Sequence, residues 1–314
     1  MEIRKRMKKT LALGLILICL ISLGVICLRP VKAQYQGVIT INADGTVNSF
    51  NQAPIQQVGR TYTLTGNVTG SIIVNASNTV LDGNGYTLIY GGANSDALNE
   101  TSGYGLYALA FNDVSNVTVK NFNIINGWFG IYFSASSSVL ANNTVTTSGM
   151  GKPSAGIAIM GNSNNITGNR VVNSYEGIIF NYGENNRLVG NTIENNSNGI
   201  ALYSSNNLVY LNYFINDSAF NSEVTNFWDN GSVGNFWSDY QTKYPNATKV
   251  DGSGIGNTTY VIDANNIDHY PLMPQANIPT PTPSVSEFPL LAILPLFLSV
   301  LLAAMILRNR KTTK

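Results

Sequence analysis

Glu176 and Glu194 are the residues whose type best suits acid–base chemistry in this sequence. Cleavage of a glycosidic bond needs two carboxylates flanking it, several ångströms apart. A lyase or epimerase needs a base beside a cation or an arginine. The surrounding region is sparse in both: its acids are Asp113, Glu176, Glu184 and Glu194, and Arg170 and Arg187 stand 17 residues apart. Counted one repeat back and one forward, the neighbours of Glu176 are Ala155 and Asn198, so it lacks a second carboxylate. The bland reading is a solvated charged face. Tyr132, Tyr182 and Tyr203 have rings that can stack on sugar faces, although each could equally pack into a core. Asp251, in Asp251-Gly-Ser-Gly-Ile-Gly-Asn257, with Asp263 and Asp268 beyond, offers oxygen ligands for calcium. That stretch lacks the alternating acids of an EF-hand loop, and a plain glycine turn competes. Asn-x-Ser/Thr acceptors for glycosylation stand at Asn67, Asn75, Asn99, Asn116, Asn142 and Asn165, among others.

Compartment and charge narrow the chemistry. Arg4, Lys5, Arg6, Lys8 and Lys9 precede an apolar run from Thr10 to Leu28, and Pro30 and Ala33 follow it. This is the pattern of an export signal covering residues 1–33. Cys19 and Cys27, the only cysteines, fall inside it, so the exported body has no thiol or disulfide. Residues 34–287 carry seven Lys/Arg against 16 Asp/Glu, a net charge of −9. So acidic a body is a poor partner for phosphate backbones, and no nucleic-acid partner is expected. A Pro/Thr/Ser stalk spans 276–287 and an uncharged apolar run spans 288–307, long enough for a transmembrane helix. Arg308, Arg310, Lys311 and Lys314 then mark a basic cytoplasmic tail, 308–314. The chain is thus expected at the cell surface, its body held to the membrane through the C-terminal helix.

The elements that carry the candidate residues repeat. Gly105, Gly130, Gly156, Gly177 and Gly199 each open a short apolar strand, at spacings of 25, 26, 21 and 22. A second series pairs asparagines across short strands, with Asn169, Asn191 and Asn212 spaced by 22 and 21. A unit of about 22 residues is too short to bury a core alone. Period-2 apolar residues give each strand one inward face, and stacking the units buries a continuous column. Asn and Gly suit the tight, left-handed corners. Asn makes up 41 of residues 34–287, and stacked amides can hydrogen-bond up the column. The fold predicted is all-β: a right-handed, single-stranded parallel β-helix over 34–275, with an aromatic-rich cap over about 213–275. There Phe227-Trp228 and Phe236-Trp237 would plug the open end. The extra segment 148–154 reads as a loop projecting from one coil.

The stretch Leu64–Leu88, the Gly-Ile and Asn repeats, and the ending Gly234-Asn-Phe-Trp-Ser-Asp-Tyr240 through Asp268-His-Tyr-Pro-Leu272 resemble NosD-like β-helix proteins. These belong to the carbohydrate-binding and sugar-hydrolysis (CASH) group. The likeness covers nearly all of 60–274, and similar proteins stand on archaeal surfaces with C-terminal anchoring tails. The resemblance implies the fold firmly and the activity loosely. Its name implies copper, which wants thiolate, thioether or imidazole ligands. The body offers His269, Met150, Met160 and Met273, a thin set. The favoured reading is a non-catalytic module that binds a glycan or envelope polysaccharide, or helps build the envelope, with no cofactor beyond a candidate calcium. A polysaccharide lyase, epimerase or glycosidase on the same fold is the alternative, and copper handling ranks behind both.

Overall fold

A computed structural model describes residues 35–49, 52–91, 107–147, 154–221, 224–250 and 252–273. The described residues belong to one compact unit that ends at Met273. They form a parallel β-solenoid of about seven turns, with three strands to a coil. The first stack runs through Val68–Val74, Tyr107–Ser115, Phe129–Ser136, Ala155–Ile159, Glu176–Phe180, Asn198–Leu202 and Ala219–Asn221. The second passes through Thr61–Leu64, Val80–Asp82, Thr118–Lys120, Val139–Ala141, Asn165–Thr167, Arg187–Val189 and Leu208–Tyr210. The third passes through Thr87–Ile89, Asn123–Ile125, Thr144–Thr146, Arg170–Val172, Thr192–Glu194, Tyr213–Ile215 and Phe236–Trp237. Val68–Val74 turns a corner, pairing at its start with Thr87–Ile89 and at its end with Tyr107–Ser115.

Register follows from burial. Leu109, Ile131, Ile157, Ile178 and Ile200 are successive partners up the first stack and are fully buried. Phe111, Phe133, Ile159, Phe180 and Leu202 form a second inward row beside them. A one-residue slip would turn both rows to solvent, which is why the pairing is strongly specified. The glycine that opens each strand has a steric cause. A Cβ on Gly156 would collide with the Val171 side chain and the Gly177 carbonyl, so the coil closes there only without a side chain.

Many corners use two residues in order: one in the left-handed region, then one whose buried side chain bonds to the next coil. Between the second and third stacks the pairs are Asn142-Asn143, Gly168-Asn169, Gly190-Asn191 and Leu211-Asn212, with φ of 55°, 64°, 67° and 57° at the first residue. The backbone N–H and side-chain Nδ2 of Asn143, Asn169, Asn191 and Asn212 each donate to Oδ1 of the next asparagine, ending at Asn235. A second ladder climbs through Asn164, Asn186, Asn207, Asn226 and Asn266. No buried side-chain nitrogen or oxygen among the described residues lacks a partner, as burial of polar groups requires.

The two ends differ. Antiparallel pairs close the N-terminal end, Tyr35–Ile41 with Val47–Ser49 and Ile55–Val58 with Thr61–Leu64. The C-terminal end is closed by residues 224–273. Trp228 and Trp237 are buried there, and Trp237 stacks between Phe214 and Tyr260 at centroid distances of 4.4 and 4.2 Å. Only the tryptophan of each expected pair plugs the end, because Phe227 is exposed and Phe236 is half-buried. The single short helix among the described residues, Tyr240–Lys243, has four residues, and none is long and apolar enough to cross a membrane. The expected signal at 1–33, stalk at 276–287, membrane helix at 288–307 and tail lie outside the described residues.

Candidate functional site

The repeat is interrupted twice at the same place in its sequence order, by residues outside the described set. Residues 92–106 and 148–153 both lie between a third-stack strand and the following first-stack strand. The first-stack strands of the two coils between them begin at Tyr107 and Phe129. Outward side chains of these two strands build an aromatic cluster on the first stack. The Tyr107 ring lies 5.4 Å from Phe129 and 4.6 Å from Tyr132, and Trp128 stands half-exposed at the adjoining corner. Period-2 alternation turns Tyr132 out between the inward Ile131 and Phe133, whereas Phe129 reaches the same face because the alternation is interrupted at Gly130, which faces Val145 of the core. Of the four rings, the spacing of the sequence singles out only Tyr132. Trp128 and Phe129 precede the repeat glycine, Gly130, and Tyr107 follows directly on the first interruption. The signal that could have found them is the run Trp128-Phe129 at a corner otherwise filled by Asn, Ser and Gly.

Farther along the same stack stands a second set of rings. Tyr203 and Phe220 lie 5.6 Å apart and are exposed, and Tyr182 is 76% exposed at the preceding corner. Burial and the nearby Glu176 carboxylate raise the Tyr203 phenol above its ordinary range. Between the two sets the outward residues Ala155, Ala158, Ile179 and Ala201 are buried, packed with Phe129 and Tyr132. The acids on the described first-stack strands are Asp113 and Glu176, and those strands carry no Lys or Arg.

Glu176 lies in register with Ala155 and Asn198 on this outward face. Glu194 does not share it. It sits on the third stack, where it accepts a hydrogen bond from Arg170 Nη2 at 2.7 Å. The fold therefore sets the two candidate catalytic carboxylates on different stacks. Arg187 faces out from the second stack over the Tyr210 ring, 5.0 Å from its centre.

The calcium candidates have other tasks. Asp268 is fully buried, and its Oδ2 accepts the Asn235 backbone N–H at 2.7 Å and the Trp237 indole N–H at 3.0 Å. Its Oδ1 accepts the Tyr270 N–H at 3.1 Å. Burial pushes this carboxyl up to about 6, although those donors pull the other way. Asp263 accepts both hydrogen bonds from Asn266 Nδ2, at 2.8 and 3.0 Å. Both carboxylates are thus engaged by N–H donors. Asp251 lies outside the described residues. No group of three His, Cys, Asp or Glu among the described residues is placed to hold a metal. A third buried acid went unnoticed in the sequence: Asp217 accepts the Asn196 N–H and Nδ2 at 2.6 and 3.0 Å, and burial pushes it up to about 6.

The glycosylation candidates divide by environment. Asn116 and Asn142 are exposed corner residues in the left-handed region. Asn67 is exposed and accepts the Thr87 N–H, and Asn75 is half-buried and accepts from Asn112 Nδ2. Asn165 lies half-buried on a second-stack strand, and Asn99 is outside the described residues.

A comparison with curated proteins finds no match. The family described as periplasmic copper-binding protein (NosD) matches residues 40–242, more than half of the chain. Among the described residues the donors that copper would need do not assemble. Among the described residues the imidazole and thioethers are His269, Met160 and Met273. His269 Nδ1 lies 2.9 Å from Asp229 Oδ2 in the C-terminal closure, Met273 is buried there, and Met160 belongs to a middle coil. Met150 lies outside the described residues. The described donors do not group as a copper centre, whereas three parallel stacks of short repeated coils and the matched segment agree on lineage: the chain belongs to the NosD family.

Proposed function

We propose that this chain is an exported, membrane-anchored β-helix that binds a glycan or envelope polysaccharide without catalysing its cleavage. The observation that carries the reading is the outward cluster of Tyr107, Trp128, Phe129 and Tyr132, set between the two interruptions of the repeat. Aromatic rings presented among hydroxyl and amide side chains suit the apolar faces and hydroxyl edges of sugars. The separation of Glu176 from Glu194 argues against paired-carboxylate hydrolysis. Export and anchoring rest on residues 1–33 and 288–314, and right-handed winding on the general rule for parallel crossovers. Glycosylation of Asn116 and Asn142 would fit the same compartment. A glycan array probed with the purified full-length chain tests the reading. Binding to at least one glycan, reduced at least tenfold by Trp128→Ala without loss of the native circular dichroism, is the expected result. Binding unaffected by Trp128→Ala, or an array without signal, would sink it.

Copper handling is the second reading, and the family description favours it. Calorimetric titration of the full-length chain with Cu(I) and Cu(II) distinguishes the two. Uptake tighter than micromolar would restore copper to first place.

A further inference from the structure

The outward face of the first stack is periodic along the solenoid axis. Ser134, Met160, Asn181 and Tyr203 occupy equivalent places on four successive coils, since the N–H groups of Met160, Asn181 and Tyr203 donate to the carbonyls of Phe133, Ile159 and Phe180. The first three are half-buried and Tyr203 is exposed. Successive coils are about 4.8 Å apart, a step comparable to the advance of one sugar in an extended chain. The rings stand at both ends of this row: Tyr107, Trp128, Phe129 and Tyr132 at one, Tyr182, Tyr203 and Phe220 at the other. Tyr132 pairs with Ala158, Ala158 with Ile179, and Ile179 with Ala201, two residues before Tyr203. Three coil steps therefore separate Tyr132 of the first station from Tyr203 of the second.

Three steps span roughly 14 Å, more than one sugar ring can bridge. The neighbouring row of Ala158, Ile179 and Ala201 is buried, so the half-exposed row beside it is the open track. Charge narrows the ligand further. The described strands of this stack present Asp113 and Glu176 with no Lys or Arg, so along those strands a uronate chain would meet like charge. Building on the glycan reading above, we infer that the ligand is a linear, uncharged polysaccharide lying along the solenoid axis and contacting both aromatic stations.

The test titrates the full-length chain with size-graded oligosaccharides of β-1,4-glucan, β-1,4-mannan and polygalacturonate, from two to eight sugars. The expected result is a neutral series whose affinity rises at least tenfold between the disaccharide and the hexasaccharide. Trp128→Ala and Tyr203→Ala should each remove most of that gain while leaving the disaccharide affinity within threefold, and both side chains are exposed enough to be cut back without unfolding. Affinity that is flat with length, or tighter for oligogalacturonate, overturns the inference and leaves glycan binding standing. No binding in any series, together with a silent glycan array, overturns the reading beneath it as well.

Discussion

The two ends of the solenoid meet the same problem with different chemistry. The ladder bonds run one way: N–H groups of one coil donate to a side-chain oxygen of the next coil toward the C-terminus. At the N-terminal end the ladder needs nothing beneath it, because the plain backbone N–H of Phe122 supplies the first donor to Asn143 Oδ1. At the C-terminal end the last amide still has hydrogens to place. There both ladders finish on an aspartate, Asn235 donating to Asp268 and Asn266 to Asp263; at another corner Asn196, which accepts the Ser174 N–H, likewise donates to Asp217. A carboxylate accepts without having to donate onward, so it can end a directional chain where another asparagine would only extend it. A parallel solenoid is thus chemically polar even where its coils look alike.

The largest effect should come from breaking a ladder in its middle. Asn191→Ala would leave the Asn169 N–H without its side-chain acceptor and the Ile166 carbonyl without its side-chain donor, while Asn169 Nδ2 would keep only the Leu140 and Thr167 carbonyls. Stranding buried polar groups and opening a small cavity should cost roughly 3 kcal/mol. Thr192→Ala, on the next residue but outward and half-buried, should stay within about 0.5 kcal/mol. Urea denaturation measures both, and equal losses would show that the ladder adds nothing beyond ordinary packing.

The next effect separates the ends by pH. Asp268 is held up to about 6 by burial. A carboxyl raised in this way binds its proton more tightly folded than unfolded. Its contribution to stability is full below the unfolded value of 3.8 and is lost as pH rises through about 6. For so deeply buried a group the loss should be on the order of 2–3 kcal/mol between pH 4 and 7. Asp217, which is more open to solvent, should add to it in the same direction and by less. Asp268→Asn has no proton to exchange and should flatten the profile. A wild-type profile that is level or rises over that range would contradict this account of the C-terminal end.

Much of this was legible in the sequence, for a reason that also explains what was not. Ile131, Ile157, Ile178 and Ile200 share one inward row because a repeat near 22 residues puts one residue type at one place on every coil. The asparagine ladders are visible in the same way. Asp217, Asp263 and Asp268 are not, because each acts once, where the repeat stops, and periodicity says nothing about a position without a periodic neighbour. The aromatic cluster was half visible: Tyr132 obeys the repeat, while Tyr107 and Trp128 sit beside interruptions of it. Asp263 and Asp268 looked like cation ligands by composition, and only the three-dimensional register shows the N–H donors that claim them.

The smallest effect lies toward the N-terminal end and has the opposite sign. Burial alone would raise Asp82, but the Asn121 amide, the Asn84 N–H and Lys120 outweigh it and hold the carboxyl below its ordinary range. Lys120 Nζ stands 3.2 Å from Asp82 Oδ2 on the adjoining coil, with 40% of the lysine side chain exposed. A carboxyl lowered in the folded chain contributes stability above its unfolded value of 3.8 and loses it as pH falls. Because the pair is open to water and salt, Lys120→Met should cost under about 1 kcal/mol, and less at high ionic strength. Melting temperatures of wild type, Lys120→Met and Asp268→Asn between pH 3 and 7, at low and high salt, set the two ends side by side. The lysine variant should lose stability mainly above pH 4 and at low salt, while the aspartate variant should change the slope above pH 4 at both. If salt altered both variants equally, Asp268 would be as exposed to solvent as Asp82, and the distinction between a buried ladder end and a surface ion pair would fail.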